Sequence, residues 1–297
     1  MLDPRRLRLL ADLARLGTIA AVAQAHTYTP SAVSQQLSTL EREAGVPLLE
    51  RTGRTVVLTT AGQVLARHAD SVWAAIEQTS AALAAFTRGL SGPLRIGAFP
   101  TAVRSLLPAA LITLGRNHPA LELRVTELDP VAVPAALVDR TLDIGLIQDY
   151  DIVPSAPEPA LDSVPLLDET VYLAQPRSTV DGRAVNPLAS CRDLPWILAT
   201  PGTLCHMATL RICHAAGFAP QARHHADDFA TVLALVAAGL GVSLVPQLAT
   251  SEAPNDVRLV PLAPRRRTRI AYRRGAADHP AVTAFAAALR ASANEAA

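Results

Sequence analysis

Residues 17–58 constrain this chain more than any other stretch, and their centre is the run Tyr28-Thr29-Pro30-Ser31-Ala32-Val33-Ser34-Gln35-Gln36-Leu37. Thr29 can accept a hydrogen bond from a free N–H of a first helical turn, and Pro30 stands where a missing N–H costs nothing, so a helix starts here. Val33, Leu37, Leu40 and Ala44 then fall on one face at steps of four, three and four, while Ser31, Ser34, Gln35 and Ser38 fall on the other. The first face is built for burial. The second carries short uncharged donors and acceptors, which suit close approach to base edges in a major groove.

The preceding helix, Thr18-Ile19-Ala20-Ala21-Val22-Ala23-Gln24-Ala25, is small and apolar, and His26-Thr27-Tyr28 connects the two. Alanines let helices cross closely, as a helix-turn-helix requires, although such a pair alone is common in all-α domains. The next residues make it specific. Two short extended runs, 46–51 and 54–58, flank Thr52-Gly53 and form a hairpin with Arg51 and Arg54 at its tip. Two guanidiniums beside a polar helix face make a wing that grips phosphate or minor groove while the helix reads bases. Thr29, Ser31, Ser34, Gln35, Ser38, Arg51 and Arg54 are the candidate contacts to double-stranded DNA.

These residues resemble the LysR-type transcriptional regulators. The resemblance runs through Ala32-Val33-Ser34, Leu40-Glu41-Arg42-Glu43-Ala44-Gly45-Val46, Leu49-Glu50-Arg51-Thr52-Gly53-Arg54 and Leu58-Thr59-Thr60-Ala61-Gly62, in family order and spacing. It implies an α/β protein with a winged helix-turn-helix, a long dimerising linker helix and a two-lobed effector domain of the type 2 periplasmic-binding-protein kind. It also implies a small-molecule effector and a homodimer that pairs into a homotetramer on promoter DNA. One departure stands out: Gln35 follows Ser34 where family members often carry Arg, and Gln favours adenine where Arg favours guanine.

A chain of 297 residues, half of them hydrophobic, has material for about two domains with large cores. Net charge near +1 excludes reading function from bulk basicity. DNA attraction must come from local placement. Cys191, Cys205 and Cys213 are odd in number and form no C-x-x-C pair, the pattern of free thiols in a reducing cytoplasm. The N-terminus leads into an amphipathic helix without a signal core, and no stretch of about twenty residues is apolar enough to span a bilayer. A cytoplasmic protein without membrane attachment is expected.

Asp3 and Pro4 start a first helix that ends near Gly17. After the wing, Thr59 or Thr60 caps a helix that runs to Ser91-Gly92-Pro93. In it Leu65, Ala69, Val72, Ile76, Thr79, Leu83, Phe86 and Leu90 alternate steps of four and three. That is a coiled-coil period, so Leu65, Val72, Ile76, Leu83 and Phe86 are expected at a dimer seam; packing on the helix's own core is the alternative. From Leu94 onward, short apolar runs alternate with amphipathic segments. Strands are read at 94–99, 121–128 and 142–147 and helices at 101–116 and 130–139, forming a first lobe. A second lobe holds strands at 170–174, 196–199 and 242–246 and helices at 205–216 and 229–238. The resulting division is 1–58 for DNA binding, 59–91 for the linker, 92–164 with 265–297 for lobe I, and 165–264 for lobe II, with crossings near 164–166 and 257–264.

Ligands of open α/β sheets sit outside the carboxyl ends of strands, near helix N-termini. That position holds Pro100, Thr101, Gln148, Thr203, His206, Phe229 and Thr231, which are the candidate effector contacts; each threonine can equally be an ordinary N-cap. Few cations converge there beyond Arg104 and His206, so an anionic effector would depend on helix dipoles. The Cys and His residues between 205 and 225 raise a metal site. Cys205 and Cys213, however, lie about 12 Å apart along one helix, too far to share an ion or a disulfide. No metal or cofactor is expected. A redox role for the thiols has little electropositive support around any single Cys. No G-x-S-x-G, H-E-x-x-H, P-loop or complete G-x-G-x-x-G is present, which argues against an enzyme. The remaining alternative is a cytoplasmic solute-binding protein without a DNA role, and it leaves the polar helix face and the wing arginines unexplained.

Overall fold

The computed structural model describes residues 1–53, 55–86, 89–153, 158–179 and 187–296. The chain opens with α1 (Pro4–Leu16), α2 (Ile19–Ala25) and α3 (Pro30–Ala44). Each starts on a side-chain cap: Asp3 accepts from the Arg5 N–H, Thr18 from Ala21 and Thr29 from Ala32. Leu10, Val22, Val33, Leu37 and Leu40 are fully buried between the three helices. The hairpin β1 (Leu49–Thr52) and β2 (Thr55–Leu58) comes next, and the N–H groups of Leu48 and Leu49 both donate to Glu41 Oε1 at 2.9 Å. Glu41 therefore fastens the wing to α3.

The linker helix α4 (Thr60–Ala84) is capped by Thr59, which accepts from the Gly62 N–H. A Cβ on Gly62 would lie 2.1 Å from the Leu48 carbonyl oxygen, so only glycine permits this close approach of α4 to the wing. Ala66 and Ala69 pack into the core of the DNA-binding unit, with Leu65 at its edge. The expected helix to Ser91 is shorter in the structure. It ends at Ala84, and Phe86 lies in the turn beyond it. Gly89, at φ +79°, already holds the backbone outside the helical region.

The effector region comprises β3 (Gly92–Ala98), α5 (Pro100–Ser105), α6 (Leu107–Asn117), β4 (Leu121–Glu127), α7 (Val133–Val138), β5 (Ile144–Tyr150) and β6 (Leu161–Pro176). It continues with β7 (Pro195–Leu198), α8 (Leu204–Ala215), β8 (Gln221–His225), α9 (Phe229–Ala237), β9 (Ser243–Pro246), β10 (Val257–Arg273) and α10 (Pro280–Ala296). One six-stranded sheet has the order β4-β3-β5-β10-β6-β9, and β7 pairs in parallel with β8. The long antiparallel strands β6 and β10 run through both lobes. Their register shifts between Pro261 and Arg265 and again between Thr268 and Arg269. Pro165 sits at the second shift, where a bulge tolerates a residue without an N–H. The strand read at 170–174 is thus the C-terminal part of β6. The helix read at 101–116 is split at Leu106, because Pro108 can stand only in a first helical turn. Lobe I closes over Ile96, Leu107, Ile144, Ile270 and Phe285, with α10 packed back against α6. In lobe II the buried Trp196 donates from Nε1 to the Cys191 carbonyl at 3.0 Å.

The DNA-binding unit and linker dock on lobe I. Arg8 Nη2 donates to the Val138 carbonyl at the end of α7 at 2.7 Å, and Arg15 lies 3.9 Å from Asp139. On α4, the buried Glu77 pairs with Arg140 and with Arg273, the latter at 3.3 Å. A Cβ on Gly275, whose φ is +88°, would sit 2.3 Å from the Ala74 carbonyl oxygen of α4. Among the described residues, no helix is long and apolar enough to cross a membrane.

Candidate functional site

Two regions collect the candidate residues. On α3, Ser31, Gln35 and Ser38 are exposed and Ser34 is half-buried, while Val33, Leu37 and Leu40 face the core. Thr29 is exposed, caps the helix, and lies 3.0 Å from Ser31 Oγ. Arg51 is exposed on β1 beside Gly53, which turns at φ +65°. Arg54 lies outside the described residues. The inner side of the unit is held by Asp12, 2% exposed, which meets Arg8 at 3.1 Å, Arg15 at 3.0 Å and His26 Nε2 at 2.7 Å. Burial opposes the Asp12 charge, but the His26 hydrogen bond and the two arginines outweigh it and hold the carboxyl below its ordinary value.

Between the lobes lies a cavity of about 230 Å³. Of the residues expected there, Pro100, Thr101, Gln148, Thr203 and Phe229 line it; His206 and Thr231 do not. Thr203 spends its hydroxyl oxygen accepting from the His206 N–H, and the Thr231 N–H donates to Asp228, the cap of α9. Asp228 also pairs with Arg104 of α5, so this ion pair joins the two lobes beside the cavity. Burial works against the Asp228 charge, and the Arg104 hydrogen bond leads the interactions that lower its carboxyl nonetheless.

The structure adds residues that the local sequence pattern does not single out. Arg266 lines the cavity from β10, is 1% exposed, and donates from Nε and Nη2 to the equally buried Glu169 at 2.9 and 3.0 Å. Strand alternation was the available signal: Arg265 and Arg267 turn out, and the middle arginine of the run turns in. Asp129 and Glu127 join from lobe I, and Cys205 and Asp227 from lobe II. Burial pushes the Cys205 thiol up, Arg266 and the Tyr150 hydroxyl 3.6 Å away pull it down, and Asp129 and Asp227 push it up again; the net direction is up. Cys191 and Cys213 are buried in the lobe II core, and burial pushes Cys213 to about 12. No group of three His, Cys, Asp or Glu side chains among the described residues is placed to hold a metal ion.

A winged helix-turn-helix joined by a long helix to a two-lobed domain with a cavity at its strand ends defines a DNA-binding protein that answers to a small molecule. Comparison with known proteins gives the family. Residues 4–63 match the bacterial regulatory helix-turn-helix protein, lysR family, and residues 87–294 match the LysR substrate binding domain. A probable hydrogen peroxide-inducible genes activator of Streptomyces viridosporus is 35% identical, with 96% of each chain covered. Its counterpart in Mycobacterium avium is 34% identical over 85% of this chain and 80% of its own. The solved Corynebacterium glutamicum OxyR C206 mutant superposes with a TM-score of 0.59 at 27% identity, covering 100% of this chain and 93% of that one. The chain belongs to the LysR family: it is a DNA-binding transcriptional regulator with an effector-binding domain. Its relatives are regulators and not enzymes.

Proposed function

We propose that this regulator binds promoter DNA as a homodimer, assembling further to a homotetramer, with α3 in the major groove and the wing on the backbone. On this reading Ser31, Ser34, Gln35 and Ser38 read bases, Thr29 sets the start of the helix, and Arg51 and Arg54 hold phosphate. The single observation that carries it is the split face of α3, with Ser31, Gln35 and Ser38 exposed outside and Val33, Leu37 and Leu40 buried inside. The dimer reading is supported by Val72, Leu83 and Phe86, which are 37%, 66% and 88% exposed in the single chain, large apolar groups that a partner would cover. Leu65 packs on its own core and contributes less to that contact.

Binding to the DNA beside the chain's own gene, measured at two salt concentrations against unrelated DNA of equal length, tests these assignments. Arg51→Ala is expected to weaken binding to all DNA and lower the salt slope by about one, whereas Gln35→Ala relaxes sequence preference. Equal effects of both on both DNAs overturn the roles. Sedimentation of the complex as one chain per duplex overturns the dimer.

An effector in the interlobe cavity, touched by Pro100, Thr101, Gln148, Thr203 and Phe229, is the proposed control. A second reading comes from the relatives described as hydrogen peroxide-inducible activators: Cys205 lines the same cavity, within reach of Tyr150 and the field of Arg266. It ranks second because burial, Asp129 and Asp227 keep the thiol protonated, and the thiolate is the reactive form. A Cys205→Ser chain that keeps its effector response, with a native chain that peroxide leaves unaltered, supports the first reading. Loss of a peroxide response in that variant alone supports the second.

A further inference from the structure

The polar face of α3 does not stop at Ser38. Ser31, Gln35, Ser38 and Arg42 follow one another at steps of four, three and four, the spacing that also lines up the buried face, and all of them are exposed. Arg42 is the one charge in that row. The acids on either side of it are engaged elsewhere: Glu41 accepts from the Leu48 and Leu49 N–H groups, and Glu43 pairs with Arg6 and accepts from the Asp3 N–H. Ser38, Thr39, Gly45 and Val46, the positions from which an acid could reach Arg42 along the helix, carry none. Among the described residues Arg42 makes no ion pair. Its guanidinium is nevertheless held. Nη2 donates to Thr39 Oγ1 at 2.8 Å, and that hydroxyl donates to the Gln35 carbonyl at 3.0 Å. The side chain is thereby turned back along α3 toward Gln35, with Nε and Nη1 left for a partner. A cation in a last helical turn also meets the negative end of the helix dipole, but that interaction asks for no particular face and no hydroxyl to hold the side chain.

Resting on the reading that α3 lies in the major groove, we infer that Arg42 is a further DNA contact that grips a backbone phosphate, with Thr39 as its positioning residue. Length decides between phosphate and base. From Ser31 to Arg42 the helix rises about 16 Å, whereas the major groove is about 12 Å wide. A recognition helix presents its N-terminal turns to the base edges, so with Ser31, Gln35 and Ser38 among the bases the turn of Arg42 stands at the edge of the groove, where the sugar-phosphate backbone runs. A guanidinium matches a phosphate with two parallel hydrogen bonds and keeps its charge at any working pH. Thr39 orders that fork before DNA arrives, so less side-chain freedom is lost on binding. Together with Arg51 on the wing, Arg42 gives each DNA-binding unit a second anchor and fixes the register in which Gln35 meets its base.

Titration of the full chain with the DNA beside its own gene and with unrelated DNA of equal length, over a series of salt concentrations, tests this. Arg42→Ala is expected to weaken both complexes about tenfold at about 0.1 M salt and to lower the salt slope by about one for each bound chain. Arg42→Lys keeps the slope and recovers part of the affinity, since it restores the charge without the fork. Thr39→Val keeps charge and shape: affinity falls about threefold with the slope unchanged, and the same substitution has no effect in the Arg42→Ala background. Circular dichroism establishes that each variant is folded. A salt slope that Arg42→Ala leaves unchanged overturns the contact. If that variant loses affinity only for the DNA beside the gene and keeps its slope, Arg42 reads a base and the phosphate assignment falls. A neutral Thr39→Val removes Thr39 from its positioning role. Gln35→Ala separates this inference from the reading beneath it. If Gln35→Ala relaxes sequence preference while Arg42→Ala changes nothing, the inference alone falls. If neither variant changes binding, α3 is not in the groove and both fall together.

Discussion

At the junction of α1, α4 and lobe I, buried carboxylates are matched within the fold: Asp12 by Arg8, Arg15 and a hydrogen bond with His26, Glu77 by Arg140 and Arg273. Around the interlobe cavity, Glu127, Asp129 and Asp227 gather with no cation of their own among the described residues. The two regions draw on the same residue types and differ in whether the chain completes the pairing itself. A carboxylate matched within the fold holds elements together, because removing either partner strands a charge away from water. The carboxylates on the cavity wall make no such ion pair among the described residues. The contrast separates a paired junction from an unpaired cavity wall within one chain, and Arg266 with Glu169 forms an island of the first kind beside the second.

Breaking that island gives the largest expected effect. Glu169→Ala leaves Arg266 buried without its partner and frees the Leu248 N–H, and should cost about 3–5 kcal/mol of stability in denaturant unfolding. A loss under about 1 kcal/mol means that Arg266 finds solvent through the cavity, and the distinction between the regions weakens. Asp12→Asn is expected to cost less, about 2 kcal/mol, since Arg8 and Arg15 are partly exposed. Its pH signature is specific. The native Asp12 value is below the ordinary 3.8, so its contribution is present above 3.8 and is lost as the pH falls through the lowered native value. The stability gap between the native chain and Asp12→Asn should therefore close on acidification. A gap that stays constant to about pH 2 would remove Asp12 from the ion pairs assigned to it. The smallest effect is on the cavity side. Asp129→Asn keeps the acceptor for Val131 and should leave thermal stability within about 0.5 kcal/mol.

Legibility in the sequence tracks the range of the interactions. The helix-turn-helix is written in neighbours: Asp3, Thr18 and Thr29 cap the N–H groups two or three residues on, and Gly17 and Gly45 end α1 and α3 in the left-handed conformation. The two-lobed α/β class is legible for the same reason, in short apolar runs followed by capped helices. β8 is not legible, because Gln221-Ala222-Arg223-His224-His225 is polar and largely exposed and gains its strand form only from pairing with β7. The inward turn of Arg266 follows from strand alternation, but its role does not, since that depends on Glu169 almost a hundred positions earlier on the adjacent strand. The acidic wall has the same origin, since Asp129 and Asp227 stand on loops of different lobes and become neighbours of one cavity only after the sheet forms. Thr203 and Phe229, at the cap and first residue of their helices, could be placed there from helix starts alone, whereas His206 and Thr231, each the third residue of its helix, stand off the cavity wall.

One short element spans the distance between the two regions. Helix α7 has six residues, about 9 Å of rise. Asp129 and Pro130 ahead of it stand on the cavity wall, and the Val138 carbonyl at its far end is held by Arg8 of the DNA-binding unit. Arg273 donates to the Leu137 and Leu142 carbonyls at that same end while reaching Glu77 on the linker helix. At its first turn, Val133 rests on Gly145, where an added Cβ would come within 2.4 Å of it, leaving no slack against the sheet. Mechanically, α7 is a short rod seated on the sheet at Val133, with the cavity wall at one end and the grip of Arg8 at the other.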